Sequence, residues 1–297
     1  MTKDRMMPVA PVRIESPSGL SFEVNHDGSM RRMGFRDLVL NLFPGNALEG
    51  GPANLWLRRH GADGIEAVPL LGPKSPGAVR VDANGLSGHG TWRDVRFVVA
   101  LVLAKDAPAW FWHVRLENAG NDEVRVDLVH AQDVALAAYA AIRMNEYYVS
   151  QYLDHQPLAH PQRGWTVAVR QNLAMGGRFP WALFGSLGRT VAYATDALQL
   201  HGLATRAGHP PAALAGDLPA KRLQHEHAMV CLQDEAVALA PGASAECGFF
   251  AWLQADHPAA TSDADVACVA KALALPEAKA PDWSKLTAGG AAPVATT

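Results

Sequence analysis

The chain has 297 residues, 49% of them hydrophobic and 19% charged. That composition excludes a disordered or fibrous protein and leaves room for one large domain or two modest ones. Its 26 basic and 29 acidic residues give a net charge of −3, with no basic excess to neutralise phosphates, so no nucleic-acid partner is expected.

The first residues, Met1 to Pro8, carry charges with no apolar stretch behind them, so they do not read as a signal peptide. Residues 1–11 are expected to be disordered, and a β-sandwich domain to fill 12–275. Leu20–Asn25 and Ser29–Arg32 flank the turn cluster Asn25-His-Asp-Gly28 and read as a hairpin. Asp37–Phe43 and Asn54–Arg59 read as further strands. Phe97–Ala104 is a continuous apolar run rich in valine, which suits a strand buried on both faces. Together with Val134–Ile142 it is the longest apolar stretch. Both fall short of the roughly 18 residues of a membrane helix, and no membrane partner is expected.

Trp110, Trp112, Val114 and Leu116 then alternate with Phe111, His113, Arg115 and Glu117, and Val124, Val126 and Leu128 alternate with Arg125 and Asp127. The turn cluster Asn118–Asp122 lies between them, so the pair reads as a second hairpin. Asp133–Arg143, rich in alanine, reads equally as a helix or a buried strand. Trp165–Gln171, Trp181–Ser186, Thr190–Thr195, His227–Gln233 and Ala245–Leu253 complete the strand set. Ser262 with Asp265 forms a helix-capping pattern ahead of Val266–Leu273, which Pro276 stops. Residues 276–297 read as a linker-like tail with Trp283 as its one anchor. No alternation of strand and helix is present, so the fold class is all-β: a large antiparallel β-sandwich with one short C-terminal helix.

Cys231, Cys247 and Cys268 are widely spaced and odd in number, which fits free thiols in a reducing cytoplasm. His225-Glu-His227 has metal-like spacing but no matching further ligand, so hydrogen-bonded strand histidines are the plainer reading and no metal or other cofactor is expected. Gly185-Ser-Leu-Gly188 is one residue short of a nucleophile elbow and reads as a tight turn. Gly85, Gly88 and Gly90 match no phosphate-loop spacing. Asp263 and Asp265 read as helix-cap residues.

Met144–His155 differs from the rest. It holds three tyrosines, two acids, two amides and a histidine in twelve residues. Aromatic faces stack on sugar C–H surfaces while amides and carboxylates bond hydroxyls, as a carbohydrate subsite requires. The plainer alternative is an ordered loop whose tyrosines pack on the sandwich.

Four stretches carry a family likeness: Leu42-Phe-Pro-Gly-Asn-Ala-Leu-Glu-Gly-Gly-Pro-Ala-Asn-Leu55, Phe111–Asp133, Met144–His155, and Pro241-Gly242 through Ser262. They resemble the N-terminal β-sandwich domain of the glycoside hydrolase family 94 phosphorylases. That group includes cellobiose phosphorylase, 1,2-β-oligoglucan phosphorylases and cyclic β-1,2-glucan synthases. Asn145–His155 is most similar to the oligoglucan branch. The resemblance implies a galactose-mutarotase-like sandwich paired with an (α/α)6 barrel. The barrel carries an aspartate general acid, and phosphate attacks the anomeric carbon with inversion.

The barrel has no counterpart in this sequence, so the chain is expected not to be catalytic alone. It is expected to support a barrel domain or subunit, with a homodimer as a further possibility, and to lend a loop to β-glucan subsites. Asn145, Tyr147, Tyr148, Gln151, Tyr152, Asp154 and His155 are the expected sugar-binding residues. Two alternatives remain. One is an aldose 1-epimerase drawing on His113, His130, His201 and Glu226. The other is a non-catalytic glycan-binding module.

Overall fold

A computed structural model of the chain describes residues 10–203, 210–224 and 227–287. Five short strands, Val12–Glu15, Leu20–Val24, Met30–Phe35, Leu38–Val39 and Ala137–Ala138, pair in that order into a small antiparallel sheet. The hairpin read at Asn25–Gly28 is present: Leu20 pairs with Phe35 and Phe22 with Met33, and Gly28 turns the chain at φ +83°.

The other strands form one long sheet that curls into two facing layers. One layer runs Gly64–Pro69, Asn54–Gly61, Val124–Asp133, Ala228–Asp234, Thr190–Asp196. The other runs Trp181–Ser186, Ser244–Gln254, Ala109–Asn118, Val95–Leu103, Gly85–Trp92, Gly77–Asp82. Gly164–Gln171 lies between the layers, tied to the first through the single parallel bridge Gly164–Thr190 and to the second by Val167–Phe184 pairing. Gly164 has φ +69°, and a Cβ there would sit 1.9 Å from the Thr190 carbonyl oxygen, so only glycine lets the sheet fold over at this point.

Leu55, Leu57, Val126, Leu128, Val230 and Leu232 of one layer share a core with Phe97, Val99, Val114, Leu116 and Phe249 of the other. The His130 and Phe249 rings stack across that core at 5.2 Å. Phe22 brings the small sheet onto it, edge-on to Trp110 at 5.5 Å. Such face-to-face burial of alternating apolar rows is what holds a sandwich together.

One sequence expectation is corrected. Ala109–Asn118 and Val124–Asp133 are both strands, but they do not form a hairpin. The first pairs with Val95–Leu103 and Ser244–Gln254, the second with Asn54–Gly61 and Ala228–Asp234. Each strand already has a neighbour on both sides, so the connection crosses between layers. The Asn118 side chain fixes that crossing: its amide donates to the Asp122 and Leu239 carbonyls at 2.7 and 2.8 Å, and its oxygen accepts from Gly120 N at 2.9 Å.

The helix expected after Ser262 is present at Cys268–Leu273, and further short helices lie at Tyr139–Met144, Glu146–Gln151, Ala197–His201 and Trp283–Thr287. The Asp265 carboxylate reaches back to Ser262 N at 2.8 Å, the capping contact read from sequence, although the first turn, Asp263–Ala267, winds as a 3-10 helix. Residues 276–287 lie against the outer sheet face: His113 Nε2 is 2.9 Å from the Glu277 carbonyl, and the buried Trp283 donates to Glu246 at 2.7 Å. Among the described residues no helix is long and apolar enough to cross a membrane.

One buried ion pair ties the first layer to the segment beside the site. Arg58 Nε and Nη2 donate to the two Asp127 oxygens at 2.7 and 2.6 Å, and Nη1 donates to the Gly216 carbonyl. Both side chains are fully buried.

Candidate functional site

The strands ending at Asp133, Gln171 and Asp196 and those starting at Asn54, Leu153 and Ala228 define one end of the sandwich. Its connections carry almost all the exposed large apolar side chains: Leu48, Tyr139, Met144, Tyr147, Tyr148, Tyr152, Leu198, Leu203 and Leu223, with only Val191 and Val237 elsewhere among the described residues. A set of apolar side chains gathered at one end marks an interaction surface, because isolated exposed residues would be scattered.

The segment rich in tyrosine forms the centre of this end. Asn145 is extended (φ −165°, ψ 100°), so it ends the helix Tyr139–Met144 and caps the next, its side-chain oxygen accepting from Tyr148 N at 3.0 Å. The helix Glu146–Gln151 is held by its inner face. Ser150 Oγ accepts from Ala228 N at 2.7 Å, and the Gln171 amide donates to the Val149 carbonyl at 3.2 Å and the Ala135 carbonyl at 2.9 Å. With Val149 and Ser150 buried, the tyrosines are turned to solvent. Tyr148 and Tyr152, four residues apart, stand on one face with ring centroids 4.8 Å apart and hydroxyls 3.1 Å apart. That hydrogen bond raises the Tyr148 phenol above its ordinary value. Tyr147 leans instead toward Phe43, at 6.2 Å.

The strand Leu153–His160 begins directly after Tyr152, and its alternation divides the remaining candidates. Asp154 and Gln156 face outward and are joined by Arg222, which pairs with Asp154 and donates to Gln156 Oε1 at 3.0 Å. His155 faces inward, 1% exposed, and burial chiefly, with Arg222 adding, drives it down to about 3. It is a neutral core residue, and its expected place at a sugar surface is corrected by the strand's pleat. Gln151 is exposed, its carbonyl accepting from the Gln224 amide at 2.9 Å. Tyr147, Tyr148, Gln151, Tyr152 and Asp154 therefore share the exposed end, Asn145 shapes it, and His155 lies beneath it.

The fold adds residues that the sequence reading did not single out. Arg222 and Gln224 arrive from a segment some seventy residues on. Phe43 arrives from the loop that follows Leu38–Val39 of the small sheet and meets His227 edge-on at 4.7 Å. The fully buried Asp133 anchors the Phe43 loop, accepting from Leu42 N at 2.8 Å and Phe43 N at 2.6 Å. Burial pushes its carboxyl up to about 7 against those two N–H groups. His227 is driven down to about 4 by burial and by His201.

Other candidates have structural places. His225 and Glu226 lie outside the described residues, and among those described no group of three metal-ligating side chains exists. Ser186 is buried at a turn, donating to Asp234 Oδ1 at 2.7 Å and accepting from Gly188 N at 2.8 Å. His113 is buried against Phe111 and the Glu277 carbonyl, and His130 is buried against Phe249. The three cysteines are free, and burial raises each thiol above its ordinary value.

Residues 23–251 match the SOGP N-terminal domain family. Over 209 residues the chain is 32% identical to a 1,2-β-oligoglucan phosphorylase from Listeria innocua, covering 70% of this chain and 18% of that protein. The chain thus spans less than a fifth of the length of this curated relative. Among solved structures, a bacterial glucoamylase complexed with acarbose aligns with TM-score 0.53 and 8% identity, over 95% of this chain and 36% of the other. A polysaccharide lyase aligns with TM-score 0.52 and 10% identity, over 84% and 34%. These two likenesses concern the fold alone. The match over residues 23–251 spans most of the sandwich, and the chain belongs to the SOGP N-terminal domain family.

Proposed function

We propose that this sandwich is the N-terminal domain of a β-glucan phosphorylase, probed best with β-1,2-linked oligoglucans, where it supports an (α/α)6 catalytic barrel and lends the exposed tyrosine end to the sugar subsites. The observation that carries the reading is the 32% identity to a 1,2-β-oligoglucan phosphorylase over 70% of the chain. The chemistry of the end suits it. Tyr148 and Tyr152 offer ring faces to sugar C–H groups, and Arg222, Asp154 and Gln156 offer donors and acceptors to hydroxyls. Leu48, Met144, Leu198 and Leu203, at the same end, give the barrel an apolar seat. Three free thiols suit a reducing cytoplasm.

In this reading the barrel supplies the general acid and the phosphate site. The work of this domain is positioning: holding the glucan so that its scissile bond meets both groups. In the enzyme assembled with its barrel, Tyr148→Ala and Asp154→Ala should each raise KM for β-1,2-glucooligosaccharides about tenfold, near 1.4 kcal/mol of lost binding, while KM for phosphate holds. Unchanged oligoglucan KM in both variants overturns the reading.

A further inference from the structure

Beside the tyrosine end lies a cavity of about 270 Å³ between the small sheet and the helix Tyr139–Met144. Such a volume falls just under the usual range for drug-sized ligands and suits a monosaccharide. Its walls carry Arg31, Arg32 and Arg143 against Glu23 and Glu146, a local positive balance in a chain whose net charge is −3. Glu23 is spent on Arg31, at 3.9 Å. Neither Arg32 nor Arg143 is ion-paired among the described residues. Arg32 instead lies over the Tyr139 ring, 5.4 Å from its centroid, with that ring more than half exposed.

The floor offers little competing polarity. Val39, Leu42 and Ile142 are buried apolar side chains, and Asn41 is already engaged with Met33 N, the Arg31 carbonyl and the Phe43 carbonyl. The donors left facing the cavity are guanidinium groups, which match the oxygens of a phosphate monoester with paired N–H bonds. Tyr139 and Phe43 add ring surface for a sugar face, and the Glu146 carboxylate can accept from sugar hydroxyls.

We propose that the cavity bounded by Arg32, Tyr139, Arg143 and Glu146 binds a phosphorylated monosaccharide. The arginines hold the phosphate, and Tyr139 with Glu146 holds the sugar. This site does not rest on the oligoglucan reading, which concerns Tyr148, Tyr152 and Arg222.

Calorimetric titration of the full chain with glucose 1-phosphate, glucose 6-phosphate, glucose and inorganic phosphate tests it. At least one hexose phosphate should bind saturably in the millimolar range or tighter, inorganic phosphate about tenfold more weakly, and glucose without measurable heat. Arg143→Gln, at an exposed helix position, should weaken hexose-phosphate binding about tenfold with an unchanged melting temperature. Tyr139→Ala should weaken it and Tyr139→Phe retain it, while Glu146→Gln should weaken the hexose phosphate but not inorganic phosphate. No saturable binding of either hexose phosphate overturns the proposal. So does equal affinity for inorganic phosphate and hexose phosphates, or full affinity in Arg143→Gln.

Discussion

Asp127→Leu should destabilise the chain more than any surface change near the site, because it leaves the Arg58 guanidinium charged, buried and without its anion. Arg58 and Asp127 are both fully buried, joined by two N–H···O bonds at 2.7 and 2.6 Å, with His60 Nε2 a further 3.1 Å from Asp127 Oδ2. Removing one partner of such a pair costs roughly 3–5 kcal/mol. In a chain of this size each kcal/mol moves the melting temperature by about 2 °C, so the expected fall is roughly 5–10 °C.

The double variant Arg58→Met with Asp127→Leu should recover much of the loss, since no charge is then stranded. The Gly216 carbonyl would still lack its donor, leaving a deficit of about 1–3 kcal/mol. Thermal unfolding followed by circular dichroism, with urea titration as a second measure, reads both variants. A fall below about 2 °C in Asp127→Leu, or a double variant less stable than the single one, would refute the reasoning. The consequence reaches the site, because Gly216 lies in the same described segment, 210–224, that carries Arg222 and Gln224.

Gly164→Ala should cost more than about 2 kcal/mol in urea unfolding, as it meets both positive φ and the Thr190 carbonyl. Asn145→Ala should cost about 1 kcal/mol through loss of the cap over Tyr148 N, and glycine there should cost less. His155, held at about 3 when folded, stays neutral while the unfolded chain takes up its proton below about 6.5. Its contribution to stability is therefore full above pH 6.5 and is lost as pH falls toward 3, at about 1.4 kcal/mol per pH unit. His155→Leu should flatten the fall in stability between pH 6 and 4 by about that slope, measured by urea titration across pH; an unaltered slope counts against a buried neutral imidazole. Asp133, raised to about 7, has the opposite sign and is unaltered in this comparison, so the difference between the two chains isolates the histidine.

Strand positions were legible wherever alternation or a valine run reported burial directly, as at Ala109–Asn118 and Val95–Leu103. Pairing was not. Asn118–Asp122 has hairpin chemistry, yet its turn serves a crossing between layers, because other strands, Val95–Leu103 and Ser244–Gln254 for one and Asn54–Gly61 and Ala228–Asp234 for the other, occupy both edges of each flanking strand. Gly85–Trp92, with three glycines in eight residues, gave a weak strand signal because the Gly90 backbone and that of Gly77 on its neighbour Gly77–Asp82 pack closely against the Phe97 ring, a contact visible only once folded. Leu153–His160 was obscured by Pro157, tolerated in a strand whose one partner is Gly164–Gln171. Clustered tyrosines marked the candidate end by composition alone. Arg222 and Phe43 carried no such mark, since their place depends on chain crossings rather than on neighbours in sequence.

The most direct measurement is phosphate-dependent release of glucose 1-phosphate from β-1,2-glucooligosaccharides by a family (α/α)6 barrel, with this chain absent, present, or present as Tyr148→Ala with Arg222→Ala. The account predicts that the wild-type chain raises kcat/KM at least about tenfold and that the double variant loses most of that gain. A barrel equally active without the chain, or a double variant as effective as wild type, would contradict it.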